Sequence, residues 1–279
     1  MKIGLFEINM YPCVTPGAIA TVARAAGEAG FESFWGGEHI VLPDPAVRFP
    51  PDKAFLDLNA TIAFAAAHTR KLRFGTGIIL LPQRNPLVLA KELATVDVLS
   101  EGRLILGLGI GSIEPEYRAL GIPFADRGRR AEEALAAMKA VWTMEKPEYH
   151  GQFFSFSAIR AEPRPVQKPH PEIVWGGRTP YAFGRTARSG NGWYGYDMSL
   201  DETAQMIAGL RKACARHGRP FEEIEISITP KAEPGLDRDL ARRYAELGVG
   251  RLIVSPRAQD VAGVLRVVSA VERELIGKV

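Results

Sequence analysis

Two cysteines, five histidines and no long apolar run narrow the field before any motif is considered. Cys13 and Cys214 stand far apart, without a CxxC pair or a histidine at metal-ligand spacing. Neither a disulfide framework nor a metal centre is expected, and both read as free thiols. No stretch approaches the roughly 18 to 20 apolar residues needed to cross a bilayer. The best is the short segment 75–81. The amino terminus, Met1-Lys2-Ile3-Gly4-Leu5-Phe6, enters a strand at once and lacks the longer apolar stretch and cleavage site of a signal peptide, so a cytoplasmic protein is expected. Charge of one sign is also missing: 35 basic residues face 32 acidic ones, net +3, with the signs interspersed along the chain. A nucleic-acid partner is not indicated, although a local site for a phosphate- or carboxylate-bearing ligand stays open. No GxGxxG follows the first strand, which argues against a doubly wound dinucleotide fold.

What is present is a long, regular alternation. The 279 residues, 46% of them hydrophobic, suffice for one large core. Apolar runs predict strands at 2–8, 32–35, 72–79, 103–109, 172–175, 192–194, 224–229 and 251–255. Helical spacing predicts helices between and after them, at 15–29, 56–69, 86–99, 127–144, 180–188, 200–217, 237–247 and 260–277. Each crossover helix returns the chain to the same end of the sheet, so the strands must run parallel, and eight units favour closure into a (β/α)8 barrel. One domain over 1–279 is expected.

Three connections are too long for simple turns: 36–55, 110–126 and 146–171. The first two leave the carboxyl ends of strands, where a barrel builds its active site. The third holds a possible hairpin at Tyr149–Phe154, then Pro163, Pro165, Pro169 and Pro171, and reads as an excursion at about 146–171.

Candidate chemistry clusters at the strand ends. Glu38 and His39 follow the second strand; histidine titrates near neutrality and can move a proton, with the carboxylate orienting it, while a surface or capping histidine is the plainer alternative. Gly75-Thr76-Gly77-Ile78 and Gly107-Leu108-Gly109-Ile110-Gly111-Ser112 end the third and fourth strands, and either make a floor for a flat ligand or relieve tight barrel packing. Gly176-Gly177-Arg178-Thr179 opens the fifth helix, where backbone N–H groups, the helix dipole and Arg178 suit a phosphate. A turn capped by Thr179 is the alternative.

Several of these stretches together resemble the luciferase-like monooxygenase superfamily, in particular its deazaflavin-dependent oxidoreductases. The motifs that carry the likeness are Leu72-Arg73-Phe74-Gly75-Thr76-Gly77-Ile78, Pro82-Gln83-Arg84-Asn85-Pro86-Leu87, Ala90-Lys91-Glu92-Leu93-Ala94-Thr95 and Ser100-Glu101-Gly102-Arg103-Leu104, with Gly176-Gly177 and Gly190-Asn191-Gly192-Trp193 in the second half. The resemblance implies coenzyme F420, or flavin mononucleotide (FMN) as the alternative, lying across the barrel mouth. His39 and Glu38 would be catalytic. His39, Thr76, Gly77, Ile78, Gly109, Ser112, Gly176, Gly177, Arg178 and Thr179 would surround the cofactor. It further implies hydride transfer to or from a small organic substrate, a homodimer, and a cis peptide between Gly77 and Ile78. A cofactor-binding barrel without activity is the remaining reading. One departure stands out: Ser112 occupies a position where several relatives carry an acidic residue or tryptophan.

Overall fold

The structure, a computed structural model, describes residues 1–231 and 237–279. Eight parallel strand positions close on themselves. β1 (Lys2–Leu5) lies between β2 (Ser33–Gly36) and β11 (Arg251–Val254), and the order continues through β10 (Glu225–Pro230), β9 (Gly192–Met198), β8 (Glu172–Gly176) and β5 (Leu104–Gly109). β3 (Arg73–Thr76) pairs with both β2 and β5 and seals the ring. The expected α/β barrel is therefore present.

The helices form where their caps and apolar stripes predict. α1 (Pro16–Glu28) is capped by the Thr15 side chain, buries Ile19, Val22, Ala23 and Ala26, and ends before Gly30 at φ 86°. α2 (Leu58–Ala66) is capped by Asp57 and α3 (Pro86–Leu99) by Asn85. α5 (Arg127–Thr143), α6 (Pro180–Ser189), α7 (Leu200–Arg216), α8 (Arg238–Glu246) and α9 (Val261–Glu274) complete the outer ring. α7 carries a full capping box between Ser199 and Glu202.

Three features depart from the periodicity. The third strand breaks after Thr76 and resumes as β4 (Ile79–Leu80), which pairs with β5 through Ile79 and Leu80. β9 runs on to Met198, beyond the expected end at Tyr194, because its polar and aromatic outer half still finds a ladder in β10. The connection 110–126 contains a short helix, α4 (Glu114–Ala119). The proposed hairpin exists as β6 (Tyr149–His150) and β7 (Ser155–Phe156), and its turn is held by the Glu133 carboxylate, which accepts from the N–H groups of Gln152, Phe153 and Phe154.

The main core lies between the barrel and its helices, and a second apolar cluster of Phe6, Met10, Trp35, Ile105, Val174, Tyr194 and Ile253 fills the barrel itself. Beneath it, at the amino ends of the strands, the fully buried Arg251 pairs with Glu32 and Glu225, while Arg73 joins Glu32 to Glu172. Oppositely charged side chains thus satisfy one another where the barrel floor closes. Among the described residues no helix is long and apolar enough to cross a membrane, and no group of acidic, histidine or cysteine side chains could hold a metal. Both cysteines are buried free thiols, and burial pushes Cys13 up to about 12.

Candidate active site

The barrel mouth is an apolar floor with a polar rim. Trp35 stacks on Tyr194 at 5.6 Å, and the Tyr194 hydroxyl lies 2.7 Å from Thr229 Oγ1, so neither ring carries an unsatisfied polar group into the interior. Above this layer Phe55, Ile78 and Tyr196 remain partly exposed and pack down on it. Gly75 exists for the sake of Trp35, since a Cβ there would fall 2.2 Å from the indole ring.

The glycines of β5 have the packing origin that the sequence left open. A Cβ on Gly107 would lie 1.7 Å from the Thr76 carbonyl oxygen, and one on Gly109 would lie 1.7 Å from Ile78 Cδ1. The segment between β3 and β4, whose Gly77–Ile78 peptide is cis as the resemblance implies, therefore presses directly onto β5. Thr76 is fully buried and its hydroxyl bridges the Gly107 N–H and carbonyl, both at 2.7 Å. It stitches two strands together, with its hydroxyl spent on the Gly107 backbone. Gly77 and Ile78 are the part of this segment that is half-exposed at the mouth.

His39 and Glu38, adjacent in sequence, do different jobs. The Glu38 side chain is 4% exposed; one oxygen accepts the Leu80 N–H at 2.7 Å, and the other takes two guanidinium bonds from Arg84, one of them at 2.9 Å. Burial works against the Arg84 charge, but Glu38 and Asp57 outweigh it and hold the guanidinium above the ordinary arginine value. With both oxygens committed, Glu38 is an anchor that ties the second strand end to the β4–α3 corner. A proton-transfer role does not fit it.

The carboxylate that does reach His39 is Glu116, which sequence reasoning missed. Its Oε2 lies 3.3 Å from His39 Nδ1, and its Oε1 accepts the Ile40 N–H at 3.0 Å. Glu116 is 1% exposed. α4 brings it there: Tyr117 beside it is fully buried, donates to the Ile110 carbonyl and packs its ring against Phe124, which docks the short helix over the end of β5. A carboxylate partner places the imidazole proton on Nδ1 and leaves Nε2 as the acceptor of the neutral ring. Phe49 and Phe55 flank the imidazole at 5.0 and 5.1 Å, and Phe55 joins it to the apolar floor. Ser112 is exposed.

The turn after β8 divides likewise. Gly177 has φ 127°, a conformation reserved for glycine, and a Cβ there would meet Ala182 at 2.8 Å. A Cβ on Gly176 would lie 3.1 Å from Ile78 Cγ2, which places the turn beside the half-exposed Ile78. Thr179 caps α6 through Ala182 N, the plainer of the two readings for that residue. Arg178 donates to the carbonyls of Tyr196 and Asp197, so its guanidinium braces the end of β9. What the turn offers an anion is therefore the backbone around Gly177 and the amino end of a ten-residue helix. Gly177→Ala is expected to cost about 1 to 3 kcal/mol of local strain. It should weaken binding of a phosphate-bearing cofactor with little change in far-UV circular dichroism; equal affinity would remove this turn from the site.

The profile of the luciferase-like monooxygenase family matches residues 7–266. The chain belongs to this family. It is 32% identical over 266 residues to an uncharacterized protein of Mycobacterium tuberculosis, covering 91% of each chain. A second relative, the FMNH(2)-dependent dimethylsulfone monooxygenase of Pseudomonas putida, is 32% identical over 164 residues, which are 57% of this chain and 45% of that one. Among solved structures, an F420-dependent secondary alcohol dehydrogenase in complex with an F420-acetone adduct superposes with a TM-score of 0.82 at 15% identity, covering 100% of this chain and 99% of that one. Luciferase-like barrels with F420 and with FMN thus both stand near this one, and a flavin-type cofactor suits the family.

Proposed function

We propose that this luciferase-like oxidoreductase transfers a hydride between coenzyme F420 and a small organic substrate, with His39 moving the accompanying proton. The observation that carries the reading is the His39–Glu116 pair, an acid–base group with a buried partner at the edge of an apolar barrel mouth. The residues present fit a flat cofactor with a phosphate on its side chain. Gly77, Ile78 and Tyr196 offer a half-exposed apolar rest for a ring, and the glycine-only turn at Gly177 leaves room for a phosphate against α6. When bound, the deazaflavin supplies the hydride-carrying carbon.

The chain's own residues do the rest. Glu116 holds the imidazole by Nδ1, so that Nε2 gives or takes the proton at the substrate oxygen or nitrogen. Phe49 and Phe55 keep water from that edge, which strengthens any charge interaction with the imidazole. The Glu38–Arg84 anchor fixes the strand end on which His39 stands. Flavin mononucleotide with oxygen chemistry is the second reading, favoured by the 32% identity to the dimethylsulfone enzyme.

Equilibrium titration separates the two. Coenzyme F420, followed by its own fluorescence, is expected to bind the purified protein more tightly than either redox state of flavin mononucleotide. The reverse order would move the protein to the second reading.

A further inference from the structure

A cavity of about 540 Å³ lies at the end of the barrel opposite the candidate active site. Its wall includes Glu172, the first residue of β8, and the backbone immediately before β9, which places it at the amino ends of the strands. The volume falls in the range of about 300 to 1,000 Å³ usual for small-molecule sites.

Its charge is one-sided. Lys139, Lys168, Arg188 and Arg219 line it together with His170, against the single carboxylate of Glu172. That carboxylate is already engaged by Arg73 at 3.0 Å. The half-buried Lys139 ammonium reaches only the Ser189 carbonyl, at 3.5 Å, and pairs with no carboxylate among the described residues. Burial pushes its pKa down, and burial together with the Lys139 charge holds His170 below the ordinary histidine value. His170 is held in one orientation: its Nδ1 lies 2.9 Å from the Pro171 carbonyl, which makes Nδ1 the donor, so the neutral ring lines the wall without adding a positive charge. Of the remaining cations, Lys168 donates to the Pro165 carbonyl at 2.9 Å, and Arg188 and Arg219 pair with Glu132 and Glu223, ion pairs open enough to solvent to be weak.

Like charges gathered around a half-buried cavity are an electrostatic cost to the folded protein unless an anion joins them. Two guanidinium forks with two ammonium groups suit the several oxygens and double charge of a phosphate group. We propose that this cavity is a binding site for a phosphate-bearing metabolite, held by Lys139, Lys168, Arg188 and Arg219. It is separate from the proposed hydride-transfer site and does not depend on that reading.

Isothermal titration of the full chain with inorganic phosphate and with pyrophosphate tests it. Saturable one-to-one binding is expected, tighter for pyrophosphate. Lys139→Gln and Arg219→Gln, made separately, are each expected to weaken it about tenfold or more, the loss of one charge-assisted contact. Gly177→Ala, which alters the turn proposed for the cofactor's phosphate, should leave it unchanged. Lys139→Gln removes an unpaired half-buried charge, so the fold should survive, and Arg219→Gln is a second variant at a more exposed position. Absence of saturation, unchanged affinity in both variants, or tighter binding of citrate than of pyrophosphate would overturn the proposal.

Discussion

His39→Ala is expected to lower kcat by about 10²- to 10⁴-fold while cofactor affinity changes little, because a positioned proton-transfer group contributes to the transition state more than to the ground state. The imidazole is well placed for this. Its Nδ1 is held by a nearly inaccessible carboxylate, two phenyl rings pack beside it at 5.0 and 5.1 Å, and Nε2 is left to act. Glu116→Gln keeps a hydrogen-bonding group of the same shape but removes the charge that stabilises the imidazolium. It should lower kcat less than His39→Ala does, since the imidazole stays in place and keeps a hydrogen-bonding partner. Steady-state kinetics with an identified substrate, beside a cofactor titration of each variant, measure both effects. Unchanged turnover in His39→Ala would make the imidazole a structural residue and remove the observation on which the proposed mechanism stands.

Arg84→Ala is expected to destabilise the protein by about 3 to 5 kcal/mol, the cost of leaving a buried carboxylate without its partner. Glu38 is the group left behind, 4% exposed and too confined to turn toward water. The Leu80 N–H alone cannot replace two guanidinium bonds. The loss should depend on pH with a definite sign. Burial raises the Glu38 pKa and Arg84 opposes it, so without Arg84 the folded-state value stands further above the unfolded one. Such a group favours the folded state while protonated, and that contribution is lost as pH rises through the folded-state pKa. The penalty should therefore be full near neutral pH and shrink in mildly acidic buffer, as Glu38 takes up a proton. Denaturant unfolding of parent and variant at the two pH values measures it. A penalty that is small at neutral pH, or that grows on acidification, would show that Glu38 is not a charged buried anchor.

The barrel was legible because its information is local. Periodicity, the cap at Thr179 and the stop at Gly30 lie within a few residues of the elements they define, and the parallel order follows from the alternation itself. The position of His39 at a strand end was equally readable, since strand ends are the barrel's active face. The meaning of the glycines was not. Gly75, Gly107 and Gly109 answer to Trp35, Thr76 and Ile78, which reach them across neighbouring strands, and no spacing along one strand encodes that contact.

The division between Glu38 and Glu116 has the same origin. In the sequence Glu38 is the obvious carboxylate beside His39, but neighbouring residues on an extended segment point apart, and Glu38 turns into the β4–α3 corner toward Arg84. Glu116 lies 77 residues away and arrives only because Tyr117 docks α4 over β5. The one hint was the Glu-Pro-Glu-Tyr run after the Gly-rich strand end, in a connection too long to be a turn. The sequence by itself determined the family, the barrel, and the face on which chemistry is to be sought. Only the tertiary structure decided which carboxylate serves His39 and which glycines serve packing, because side-chain partnership across a barrel depends on distances that chain order does not record.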